Sequence, residues 1–273
     1  MENMEIGATA SVPPTDNGLE VVDLQNDASF MARRLHTRDI AMQMQGMQKL
    51  ARAFVEKPET ILQELVDAAV DMCGADSAGI SIEGRDENES IFYHWVATAG
   101  KYARFANATL PPDPSACGTC LKRGRPQLFR VSKTFFDIMG IEAEIVTDGV
   151  LIPWQMEEMR GTIWILAHGR PEAFDSSDYQ MMQSLANFAA MGVRQQRQQK
   201  LLVEQTRAAA AIAMANDLAH KINNPLQSLT NLAYLCGQDN DGSGNAKTIA
   251  KDMSENIQRL SSLVAELLAL PKK

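Results

Sequence analysis

The chain has 273 residues, of which 45% are apolar and 22% charged, and its formal net charge is −8. That length suffices for one large or two modest globular domains, each burying its own core. The acidic balance argues against a protein that binds nucleic acid or anionic membrane by broad electrostatic attraction.

No apolar run approaches the ~20 residues that span a bilayer. The opening MENMEIGATASVPPTDNG lacks the basic start and apolar stretch of a secretion signal. Four cysteines do not make a disulfide framework. A cytoplasmic protein with no nucleic-acid or membrane partner is expected.

Residues 1–37 are polar and acidic and include Pro13-Pro14, and they read as a mobile tail. A helical period then begins: Ile40, Met44, Met47, Leu50 and Phe54, followed by Ile61, Leu65, Ala69 and Met72, recur at three- and four-residue steps. Pro58 breaks this into two helices. After Cys73-Gly74 the period changes to two. SAGISIE (77–83) and SIFYHWVAT (90–98) read as a hairpin around a short polar turn. The acidic tip Asp86–Glu89 is expected to be solvated.

LPPDPSACGTCLKRGRPQLF reads as loop, short helix and strand. VTDGVLIPW (146–154) and GTIWILAH (161–168) read as a second antiparallel pair. Strand pairs with helices before, between and after them imply an α+β sensor-like domain at 38–174 built on an antiparallel sheet.

From Asp175 the sequence turns helical for a long way, with Asp175, Ser176 or Ser177 as its cap. Residues 175–205 are the expected connecting helix and 206–273 a helical hairpin. A helix of that length needs a partner along it, and a second copy of the chain is the natural one. QDNDGSGN (238–245) is a turn signal. Beyond it, Met253, Ile257, Leu260, Val264 and Leu267 step by four and three, a heptad seam. Dimerisation of two hairpins into a four-helix bundle would bury it.

One local signal carries chemistry. DLAHKINNPL (217–226) places an imidazole, His220, on a helix five residues before a proline that removes a backbone hydrogen bond and bends the rod. An imidazole titrates at about 6.5, so much of it is neutral and nucleophilic at cell pH.

LAHKINNPLQSL, with IQRLSSLVAELLAL downstream, resembles the phosphoacceptor box and second helix of the dimerisation domain of bacterial sensor histidine kinases. The resemblance covers about residues 206–270. It implies that His220 is a phosphoacceptor in two-component signalling, exchanging phosphate with the receiver domain of a response regulator. It also implies that Asn224 assists dephosphorylation of that partner.

Lys221 departs from the family, which has an acidic residue there, and a lysine is no base at neutral pH unless its pKa is strongly depressed. The sequence stops at Pro271-Lys272-Lys273, about where the family's ATP-binding domain would begin, so an incomplete kinase is expected. The alternative is a non-catalytic adaptor that docks on a histidine kinase or response regulator, with His220 a relic.

The upstream region (about 42–192) resembles a GAF sensor domain through LARAFVEKPETILQELVDAAVDMCGADSAGISI, SACGTCLKRGRPQLF, GVLIPW and GTIWIL. GAF domains bind varied ligands, and the resemblance assigns no cofactor. Cys117 and Cys120 form the single CxxC. They read as a structural loop, a redox switch or half a metal site, for which Cys73, His94 and His168 are further ligands only by residue type. No metal is assigned.

Overall fold

The computed structural model describes residues 17–35, 40–238 and 246–269. Among them the chain forms two compact units, Met1–Gln198 and Gln199–Lys273.

In the first unit, β1 (Leu19–Asp23) leads into α1 (Ala28–Ala32), α2 (Ile40–Glu56) and α3 (Ile61–Cys73). Pro58 opens a short 3-10 turn between α2 and α3, where its missing N–H costs nothing. Gly74 ends α3 at φ 59°, a left-handed cap that glycine adopts without a Cβ penalty.

β2 (Ser77–Arg85) and β3 (Ile91–Gly100) make the expected hairpin, and its 86–90 tip is exposed. Then come β4 (Thr109–Leu110), α4 (Ala116–Arg123), β5 (Gln127–Val131), α5 (Lys133–Met139), β6 (Val146–Met156) and β7 (Met159–Ala167). The seven strands form one antiparallel sheet in the order β1-β5-β6-β7-β2-β3-β4.

The sheet is buried on both faces, and strand alternation sorts its side chains. On β7, Ile163, Ile165 and Ala167 face one core; Trp164 and Leu166 face the other. The first core packs against α2, α3 and the start of α6 (Ser176–Gln238). The second packs against α4, α5 and the loops around them.

Two boundaries differ from the sequence expectation. Residues 19–35, read as tail, contribute β1, which pairs with β5 from Leu19↔Val131 to Asp23↔Gln127, and α1, whose Phe30 is fully buried. Arg33 is buried there against Asp148 at 3.1 Å, and the same guanidinium donates to the Phe174 carbonyl. Residues 1–16 of the expected tail lie outside the described residues.

The second difference is α6. Met182, Leu185, Ala186, Ala189, Ala190 and Val193 are buried in the first core, spaced as one helical stripe. The helix read as a connector from 175 therefore begins as a wall of the first unit.

Asp175 caps α6, accepting the N–H groups of Ser177 (2.8 Å) and Asp178 (3.3 Å). Asp178 accepts the Asp175 N–H in return, a reciprocal capping box. The other Asp175 oxygen accepts the Leu35 N–H at 2.9 Å, so the N-terminal segment is tied to the root of α6.

The second unit holds the rest of α6 and α7 (Ala246–Ala269). Residues 239–245, most of the predicted turn, lie outside the described residues. Leu218, Ile222, Pro225, Leu229 and Leu232 of α6 are half-buried or buried, as are Ile249, Met253, Asn256, Leu260 and Leu263 of α7. Both sets follow three- and four-residue steps, so each helix turns one stripe inward. Asn256 donates to Ser228 across the hairpin at 3.2 Å. No described helix is long and apolar enough to cross a membrane.

Candidate functional site

A cavity of about 80 Å³ opens in the second core of the first unit. Its sheet wall includes Trp95, Phe129, Leu151 and Trp164; Ala116 and Cys117 come from α4, and Phe135 and Phe136 from α5. Tyr102, Phe105, Thr109 and the loop residues Ile141 and Ala143 also line it.

The aromatic wall is ordered by ring contacts. Trp95 and Trp164 meet at 4.8 Å between centroids, and Tyr102 packs edge-on against Phe105 at 5.1 Å. Trp164 fits because its cross-strand neighbour is Gly79, where a Cβ would run into the indole.

The cavity's polar atoms are mostly committed. The Tyr102 hydroxyl donates to the Glu144 carbonyl at 2.6 Å, and burial pushes that phenol above its ordinary range. Behind Cys117, Ser81 and Thr162 share a 2.7 Å hydroxyl contact, and Thr162 donates to the Cys117 sulfur at 3.3 Å. The indole N–H of Trp164 is buried with no hydrogen-bond partner, on a residue that is 2% exposed. Trp95's N–H is also buried and reaches no acceptor at hydrogen-bonding geometry.

The CxxC lies on α4, capped by Ser115, which accepts the Gly118 N–H. Cys117 and Cys120 are both buried. Burial pushes both thiols up; the contacts of Cys117 with Thr162 and Ser81 oppose this only in part. A redox cysteine works through its thiolate, and this environment holds both sulfurs protonated.

His168, a candidate ligand by residue type, is engaged at both ring nitrogens: Nδ1 lies 2.8 Å from the Ile145 carbonyl and Nε2 3.0 Å from the Ser77 hydroxyl. Cys73 is buried in the first core, and His94 is half-buried on β3. Among the described residues no group of three His, Cys, Asp or Glu side chains could hold a metal.

In the second unit His220 is exposed on α6, on the side roughly opposite the inward stripe at about 100° per residue. Asn224, also exposed, sits one turn further on the same face. Pro225 lies within the helix and is buried in the hairpin.

Lys221 makes a 2.8 Å ion pair with Asp217, both side chains more than half exposed. Sequence reasoning missed that partner. The signal was there, an acid four residues before a lysine on one helix.

The predicted dimer seam divides. Met253 and Leu260 are half-buried within the hairpin, whereas Ile257 is 53% and Val264 47% exposed. Leu267 belongs to α7, but its side chain lies outside the described ones. Ile212 and Leu226 of α6 are exposed apolar residues as well.

Fold and cavity together define an α+β domain with one curled antiparallel sheet, helices on both faces and an apolar internal site. The profile of the GAF domain family matches residues 56–194, just over half of the chain, and the chain belongs to that family.

Among solved structures it is similar to the GAF domain of a phosphoenolpyruvate-protein phosphotransferase from Acinetobacter (14% identity, TM-score 0.45, 56% of this chain and 93% of that one). The free methionine-R-sulfoxide reductase of Neisseria meningitidis is similar too (14%, 0.45, 61% and 98%). So is the GAF domain of a proposed sensor histidine kinase from Pseudomonas syringae pv. tomato (18%, 0.40, 60% and 94%). No curated protein matches the sequence.

Proposed function

We propose that this is a cytoplasmic two-component signalling protein in which the GAF unit senses a stimulus and α6 and α7 present His220 for phosphotransfer. One observation carries the reading. His220 is solvent-exposed on α6 and Asn224 shares its face one turn on, while the adjoining Pro225 is buried in the hairpin.

A phosphoacceptor must meet the receiver domain of a response regulator directly, and an imidazole on an open helix face can do so. Asn224 would touch the same partner. The exposed Ile257 and Val264 suit burial against a second hairpin, making a homodimeric four-helix bundle. A signal would act by favouring one of two bundle arrangements.

A second reading is favoured by Lys221. The residue after His220 is a cation paired with Asp217 rather than an acid able to take a proton. On that reading the hairpin is an adaptor for a complete histidine kinase or a response regulator, and His220 is a relic.

Incubation of the purified chain with a labelled complete histidine kinase or phosphorylated regulator separates the two. Acid-labile label on the native chain and none on His220→Ala is expected. Label that appears only after Lys221→Glu supports the adaptor.

A further inference from the structure

Resting on the reading of the GAF unit as a sensor, we propose that its cavity takes a small uncharged molecule of about one aromatic ring, apolar over most of its surface and carrying one hydrogen-bond acceptor. Four features define that class.

None of the residues lining the cavity is charged. A carboxylate, phosphate or ammonium placed there would lose its hydration with no counter-charge in return.

Seven of the nineteen lining residues are aromatic, Trp95, Tyr102, Phe105, Phe129 and Trp164 among them, and most of the rest are aliphatic. They offer faces and edges against which another ring packs in tilted or offset geometry.

Size sets the upper limit. The ~80 Å³ of space is about half of the ~150 Å³ that holds benzene in a dry apolar cavity. A single ring is therefore the most the cavity takes, and only if lining side chains move to widen it; a nucleotide or tetrapyrrole is far too large.

Polarity sets the last requirement. The Tyr102 hydroxyl is committed to Glu144 and the Cys117 sulfur to Thr162, whereas the indole N–H groups of Trp95 and Trp164, both cavity-lining residues, are buried and unpaired. A buried donor gains most from an acceptor where water is excluded. A hydroxyl or carbonyl oxygen on the ring would offer the acceptor that these donors lack.

The test is calorimetric titration of the full chain with phenol, benzene and benzoate. Phenol and benzene are expected to bind saturably, phenol more tightly, and benzoate not to bind. Trp164→Phe removes one donor and trims the ring, so phenol is compared with benzene on the same variant. The preference for phenol over benzene should fall about tenfold. Ala143→Leu fills the cavity from a loop and should weaken both ligands about tenfold, a readout that survives if Trp164→Phe misfolds.

Benzoate binding as tightly as phenol, no saturable phenol binding to folded chain, or phenol affinity unmoved by Ala143→Leu would each overturn the proposal. These readouts are independent of phosphate on His220. Failed ligand binding therefore leaves the phosphotransfer reading standing, and failed phosphotransfer leaves the cavity test intact.

Discussion

The two units solve the burial problem differently. In the GAF unit both faces of the sheet are covered within one chain, and side chains as large as Phe30, Phe174 and Met182 are fully buried. In the helical unit Pro225 is the one buried residue among the described side chains, and Leu202, Ile212, Tyr234, Leu235 and Ile257 are all more than half exposed.

A helix gains most of its stability from packing an apolar face rather than from intrinsic propensity. The first unit therefore covers its sheet within a single chain, although Met42, Met44 and Val55 of α2 remain more than half exposed. The second carries apolar surface that a further helix layer would cover. Local destabilisation and self-association should accordingly respond to different mutations.

The largest effect should come from the buried ion pair. Arg33→Met leaves Asp148, which is fully buried, without its cation, and breaking such a pair costs about 3–5 kcal/mol. Burial already raises the Asp148 pKa, and Arg33 opposes that rise. Without Arg33 the folded-state pKa climbs further above its unfolded value, so the loss of stability should grow as pH rises. Urea denaturation of the GAF unit at several pH values measures this. Adding Asp148→Leu should recover most of the loss.

A smaller effect is expected at the helix cap. Asp175→Ala should cost about 1 kcal/mol, read as lower thermal stability and faster amide exchange at the start of α6. Burial raises the Asp175 pKa, but the hydrogen bonds from Ser177, Leu35 and Asp178 outweigh it and bring it down to about 2. A depressed carboxylate stabilises the fold above its unfolded pKa of about 3.9, and that contribution is lost as pH falls from about 4 towards 2. Asp175→Asn should flatten this part of the pH profile.

The smallest effect on folding is expected at Ile257 and Val264. Changing both to Glu should leave the melting of the GAF unit within about 0.5 kcal/mol of the parent, as for surface changes generally, while altering association.

Local pattern carried much of the molecule into view. α2, α3, the two hairpins and α6 follow directly from local pattern, and the segment around His220 offers a proposal from sequence because its residues are neighbours in the chain. What pairing supplies was not legible. β1 is five residues in a polar, acidic stretch, and its strand character comes from β5, more than a hundred residues away.

Arg33 gave no signal because Asp148 reaches it only through the fold. The cavity draws on residues from Leu19 to Leu166, none distinguishable from ordinary core by type. The heptad on α7 read as one seam. Its division into half-buried Met253 and Leu260 and exposed Ile257 and Val264 depends on where α6 lies.

Sedimentation equilibrium of the full chain beside its Ile257→Glu, Val264→Glu variant tests most directly whether the helical unit is completed by a second copy. A dimer for the native chain and a monomer for the variant, with the GAF unit folded in both, is the predicted result. A native chain that stays monomeric at micromolar concentration with its hairpin fully helical would contradict it.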